Sequence, residues 1–219
     1  MDRKIIKVSF IIAKYRKLKK KLPELLLQSV LITIGVIIAL AVGNWDEDRK
    51  RDKQVVAILD NLKSEALNNI MVVQVWEDYL DELKMGIDSV FNGQKPMNEV
   101  LTDEGIMLEN LVKVDKPSSF LQETTWRTAQ TTNLVQYFDY SIIYQLTDMY
   151  NYQNTIIQKD YESLNALFLD RESFTPGRAK TNLQMIRKLA EELKMHHEKI
   201  LVTYRKIFYD IEVSLNKKV

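Results

Sequence analysis

Within nine residues the stretch Thr124-Thr125-Trp126-Arg127-Thr128-Ala129-Gln130-Thr131-Thr132 gathers hydroxyls, an amide, a guanidinium and an indole. Arg127 and the hydroxyls can hold a small anionic or polar ligand, with Trp126 as a wall. Thr125, Trp126, Arg127 and Gln130 are therefore the candidate ligand residues. The competing reading makes Trp126 part of the core and the threonines caps and turn formers. His196-His197 invites a metal, but neighbours on a helix point about 100° apart and cannot both reach one ion. Glu192, four residues before His196, would complete only two ligands. A packed histidine is the reading we adopt, with mild pH sensing open to it. The acid groups Asp46/Glu47/Asp48, Asp78/Asp81/Glu82 and Glu191/Glu192 resemble general acid–base pairs only in composition, because nothing in the sequence isolates them from water. The chain has no Cys, which removes disulfides, thiolate nucleophiles and cysteine metal sites. Phosphate-cradling glycine loops and nucleophile elbows are absent too. We expect no catalytic residue, no metal, no cofactor and no enzyme.

These residues must be positioned by helices, and the first of them is apolar. Leu25 to Gly43, LLLQSVLITIGVIIALAVG, holds nineteen residues without a charge, roughly 28 Å of helix and close to the thickness of a bilayer core. Before it, residues 1–21 carry nine Lys or Arg against one Asp; after it, Asp46 to Lys53 hold four acids and four bases. This bias predicts a cytoplasmic N-terminus and, in a bacterium, a periplasmic remainder anchored in the inner membrane. The division expected is a basic tail (1–21), a span (22–43) and an outer domain (44–219). Lys14, Arg16, Lys17, Lys19, Lys20 and Lys21 alternate with apolar residues at near-helical spacing, so the tail can lie on anionic lipid or simply fix topology. Ala39-Leu40-Ala41 has the small-x-small form accepted by a signal peptidase, which leaves cleavage as the alternative. Gly35, Ala39 and Gly43 share a face at four-residue intervals, with Glu24 and Gln28 at its cytoplasmic end. Such a face lets two span helices pack closely and predicts a homo-oligomer, unless small residues are merely frequent there.

Beyond the span few Gly or Pro interrupt the chain, and apolar residues recur in alternating steps of four and three: Val55, Leu59, Leu62, Ala66, Asn69, Val73, Trp76, Leu80, Leu83, Ile87 and Val90. A 3.5-residue period over five heptads is a coiled-coil or bundle seam, and Asn69 is either a register-fixing polar insertion or a tolerated edge residue. Asn92-Gly93 and Pro96 end this helix. With no Pro between 24 and 92, span and seam can form one rod on the order of 100 Å, or bend at the charged DEDRKRD segment. Thr102 with Asp103 and Glu104 predicts a short helix over about 103–112, and Ser119 with Gln122 a capping box opening another over about 120–130. Asp139 caps a long helix, about 140–170, with inward Ile142, Leu146, Met149, Ile156, Leu164 and Phe168. Leu183, Ile186, Ala190, Leu193, His197, Ile200, Tyr204, Ile207 and Ile211 make a second seam in a last helix, about 178–215. Period-two strands are missing, so the fold class is all-α: a membrane helix running into an antiparallel long-helix bundle.

Two patches carry a resemblance. Ile34-Gly35-Val36-Ile37-Ile38-Ala39-Leu40, followed by Asn44-Trp45 and mixed charges, resembles the span exit of a family of single-pass membrane proteins of unassigned activity, common in Bacteroidota. Thr125-Trp126-Arg127-Thr128-Ala129, leading through Asn133-Leu134 and Asp139 to Tyr150, is similar to that family's short helix, turn and tyrosine-bearing helix. Together the patches cover roughly a third of the chain. It departs from the pattern at Thr131-Thr132, where Ser-Gly is frequent. The resemblance implies membrane anchoring and a helical outer domain, and it carries over no catalytic residue. The function expected is non-enzymatic interaction or sensing, through membrane lipid and either a second copy or a protein partner. The alternative is an accessory scaffold of a larger membrane complex. The outer domain is net acidic and lacks a basic stripe interleaved with aromatics, so outside the tail nothing supports nucleic acid, and none is expected as partner.

Overall fold

The computed structural model describes the backbone of residues 2–102, 105–170, 175 and 177–218; the side chains of 2–22, 24, 25, 102, 105, 217 and 218 lie outside the described residues. The chain divides into two units, Met1–Lys53 and Gln54–Val219. Helix α1 (Asp2–Phe91) contributes to both. In the first unit every described residue is helical, and Leu26, Leu31, Ile32, Ile37 and Leu40 are each 59–67% exposed. By length and composition this is a helix able to cross a membrane.

Among its described residues the second unit is all-α apart from one two-residue ladder. After α1 come α2 (Met97–Val100), β1 (Leu101–Thr102), β2 (Gly105–Ile106), α3 (Thr124–Thr131), α4 (Tyr140–Tyr152), α5 (Gln158–Leu169) and α6 (Ala179–Lys218). All eleven α1 seam positions from Val55 to Val90 are buried, as are all nine on α6 from Leu183 to Ile211. The period explains this, since a face repeating every 3.5 residues leaves water only if it stays against a partner along its whole length. Four ion pairs record the antiparallel register of the two helices: Lys63–Glu212 (2.9 Å), Asp81–Lys194 (2.5 Å), Lys84–Glu191 (2.9 Å) and Asp88–Arg187 (2.6 Å). Each step down α1 equals the step up α6. These pairs are partly exposed and contribute at most about 1 kcal/mol each, so they favour one register more than they stabilise the fold.

Helices α4 and α5 form the third face and are joined by a π turn, Gln153–Ile157. Inward positions run Ile142, Leu146, Met149, Gln153, Ile157, Tyr161 and Leu164, which uses one residue more than a 3.5 period allows. The π turn absorbs it. Ile156, expected inward, is half-buried, and Ile157 takes its place.

The expected helix over 103–112 is not formed. Leu101 pairs with Ile106 and Thr102 with Gly105 in an antiparallel ladder, and a single 3-10 turn follows at Leu108–Asn110; Asp103 and Glu104 lie outside the described residues. The reason is packing. Val100, Leu111 and Val112 are all buried, and the carbonyl of Leu111 comes so close to α1 that a Cβ on Gly86 would stand 2.0 Å from it. The helix expected from Phe120 begins later, at Thr124, because the main chain of residues 119–122 is engaged elsewhere. Asn133 (φ 56°) and Gly93 (φ 71°) adopt the left-handed turns their residue types favour.

Candidate functional site

A polar layer inside the second unit is the most elaborated part of the molecule. Asn69, fully buried on the α1 seam, donates from Nδ2 to the carbonyl of Gln122 at 2.8 Å and accepts the Gln122 N–H on Oδ1 at 2.7 Å. One side-chain amide thus satisfies both main-chain polar groups of one residue. Four residues earlier on the same helix, buried Glu65 accepts the Thr125 N–H at 2.7 Å and the Tyr150 hydroxyl at 2.5 Å. The Thr125 N–H lies in the first turn of α3, where main-chain donors lack helical acceptors, so Glu65 supplies from α1 what a local cap would supply. Gln153, brought inward by the π turn, donates to the Gln122 carbonyl at 3.3 Å and accepts the Tyr204 hydroxyl at 2.6 Å. Burial pushes the Tyr150 hydroxyl well above its ordinary pKa, and the Glu65 carboxylate beside it adds to the shift. Tyr204 is raised chiefly by burial. Both act as neutral donors.

Trp76 extends the layer upward along α1. Its Nε1 donates to the Ser119 carbonyl at 2.9 Å, its ring lies 4.4 Å from that of Tyr161, and the Tyr161 hydroxyl meets His197 Nε2 at 2.8 Å. Burial first, with the charges of His196 and Lys194 behind it, lowers His197 to about 4, so a neutral imidazole shares this hydrogen bond with the hydroxyl. His196 faces elsewhere: Nδ1 meets the Tyr152 hydroxyl at 2.5 Å and Nε2 lies 3.7 Å from Asp160 Oδ2. The two histidines serve different neighbours, as their helical spacing requires. Among the described residues no group of three His, Cys, Asp or Glu is disposed to hold a metal.

The candidate ligand residues are not brought together. Trp126 is buried and stacks on Tyr150, with centroids 5.8 Å apart and planes 6° from parallel. Thr125 is half-buried, while Gln130 and Arg127 are exposed, and Arg127 pairs with Glu123. A helix turns adjacent side chains about 100° apart, so an inward Trp126 sends Arg127 outward. The hydroxyls of Thr128, Thr131 and Thr132 return to helix carbonyls. Glu65 and Gln153 carry no expectation from the sequence, while Tyr204 stands there only as a seam position and Tyr150 only within a resemblance. Their signal was an acid and an amide beside or on a seam, with tyrosines on the facing helices. In the first unit Gly35, Ala39 and Gly43 are exposed, and a Cβ on either glycine would meet nothing within 4 Å. The side chains of Lys14, Arg16, Lys17, Lys19, Lys20 and Lys21 lie outside the described residues, as does that of Glu24.

The layer can hold and orient the segment 119–125 against three helices, and its groups are spent on that segment and on each other. No family model, curated protein or solved structure matches this chain.

Proposed function

We propose that this chain is a single-pass protein of a bacterial inner membrane, N-terminus in the cytoplasm, whose helical outer unit serves non-enzymatic interaction or sensing in the periplasm, as a homo-oligomer or with a protein partner. The observation that carries the reading is the contrast along α1: large apolar residues from Leu26 to Val42 are exposed on every side, whereas from Val55 to Val90 one whole face of the helix, the seam, is buried. A stretch this apolar is stable only when something other than water surrounds it. The nine basic residues before it supply the orientation, and the resemblance at Ile34–Leu40 and Asn44-Trp45 agrees. A non-enzymatic role is supported by the polar layer, whose groups are spent on one another and on the main chain of residues 119–125.

The test uses the absence of cysteine. Single cysteines at Lys19 and at exposed Met195 are treated with a membrane-impermeant maleimide on intact spheroplasts. Labelling at 195 only, with the chain retained in the membrane after alkaline carbonate, is the expected result. Labelling at 19, or release of the full-length chain into the soluble fraction, overturns the reading. Recovery of a stoichiometric unlike subunit from detergent would favour the accessory-scaffold alternative.

A further inference from the structure

We propose that the tyrosine-bearing end of the outer unit rests on a lipid surface, with Tyr137, Tyr140 and Tyr144 seated among the headgroups of the bilayer; this rests on the membrane span proposed above. The three residues follow at steps of three and four through a 3-10 turn, Leu134–Tyr137, and the first turns of α4. They are 40%, 82% and 65% exposed, while Phe138, Ile142 and Leu146 between and beyond them are buried. Farther along α4 the outward face turns polar, with Thr147 and Asp148 exposed. Along α4 the outward aromatic character is therefore confined to its beginning.

That end is the one where the unit begins. Leu134 and Thr132 line a groove with Gln54, Ala57, Ile58 and Asn61. Ser214 Oγ donates to Asp139 Oδ2 at 3.1 Å, Gln145 Nε2 donates to Asp210 Oδ2 at 2.9 Å, and Lys63 pairs with Glu212 at 2.9 Å. Gly43 closes the apolar stretch and Val55 opens the buried seam. The intervening residues reach no farther than about 43 Å even fully extended, whatever path they take. The other end of the seam, Val90, lies about 50 Å farther along α1. Chain length thus bounds the distance of the seam's start from the end of the apolar stretch, and the tyrosines belong to that end of the unit.

The residue type fits that neighbour. A tyrosine ring partitions into the boundary between acyl chains and headgroups while its hydroxyl stays hydrated, which is why tyrosine and tryptophan collect there. Trp45, 66% exposed just past the span, is of the same class. Lipid is the occupant this composition favours, since exposed tyrosine rings at the edge of a bilayer need no complementary pocket.

The experiment reconstitutes the full chain in phosphatidylethanolamine–phosphatidylglycerol vesicles with single nitroxides at Tyr140→Cys, Tyr144→Cys, Ile38→Cys and, as an aqueous control, Leu169→Cys (82% exposed). Accessibility to oxygen is compared with that to a water-soluble nickel chelate. We expect positions 140 and 144 to give oxygen-to-nickel ratios several-fold above position 169 and below position 38. If 38 reads as lipid-embedded while 140 and 144 match 169, the docking is wrong and the span stands. An aqueous 38 overturns the span itself. Spin–spin broadening at 140 and 144 that disappears on dilution with unlabelled protein identifies a second copy as the occupant and overturns the lipid assignment.

Discussion

Asn69 shows how much one side chain can determine. Both of its polar atoms are committed to Gln122, so Asn69→Ala leaves a part-buried N–H without its acceptor and opens a small void. Fully buried unmet donors cost about 1–3 kcal/mol, and a part-buried one less. We expect a loss of roughly 1–2 kcal/mol, seen as a lower urea midpoint with an unchanged slope in the tryptophan fluorescence of the detergent-solubilised chain. A midpoint within experimental error of the parent would mean that the 119–122 segment is held without it. His197 supplies the pH dependence. Its folded-state pKa is lowered from 6.5 to about 4, so the unfolded chain binds the proton more tightly and folding loses stability as pH falls from about 6.5 towards 4. A shift of this size corresponds to a few kcal/mol. His197→Leu should flatten that part of the stability–pH curve; an unaltered slope would assign the dependence to carboxylates instead.

At the scale of elements, the π turn yields a counter-intuitive expectation. Inward positions on α4–α5 take three successive steps of four from Met149 to Tyr161, and removing one residue at the turn restores alternating fours and threes. Deletion of Thr155, which is exposed and bonds only the Asn151 carbonyl, should therefore give a straight α-helix with the same residues inward. Stability should stay within about 1 kcal/mol of the parent, whereas deletion of Asp148, before the turn, should displace the whole upstream face. Equal damage from both deletions would show that the bulge geometry itself matters, not merely the residue count. The same comparison explains what could be read in the sequence. The seams of α1 and α6 were legible residue by residue, because a 3.5 period is a local property of the chain. Ile156 was misplaced because a π turn interrupts that period without any proline or glycine to announce it. The late start of α3 was hidden for a different reason: Ser119 and Gln122 look like a capping box locally, but Trp76 and Asn69, more than forty residues away, take their carbonyls first. For the ligand candidates the residue types were visible and their directions were also inferable, since Trp126 and Arg127 cannot face the same way.

At the scale of the whole molecule, the expected self-association can be separated from folding. Gly35 and Gly43 need no glycine for the chain's own sake: both are helical, neither has a positive φ, and a Cβ on either would touch nothing. In a soluble core, enlarging a glycine confounds packing with association; here Gly35→Leu adds bulk to an open helical face. If span helices pair through Gly35, Ala39 and Gly43, where small residues permit close backbone approach, then cysteine at Ala39 should form an oxidative crosslink in the bilayer. Cysteine at Ile37, about 200° around the helix from Ala39, should not. Gly35→Leu in the Ala39→Cys chain should abolish the crosslink while leaving the urea midpoint of the outer unit unchanged. Crosslinking at both positions would indicate random collision rather than an interface. Crosslinking at 39 that survives Gly35→Leu would move the pairing to another face, and no crosslink at either position would leave the outer unit, with its own exposed helix faces, as the place where copies or partners meet.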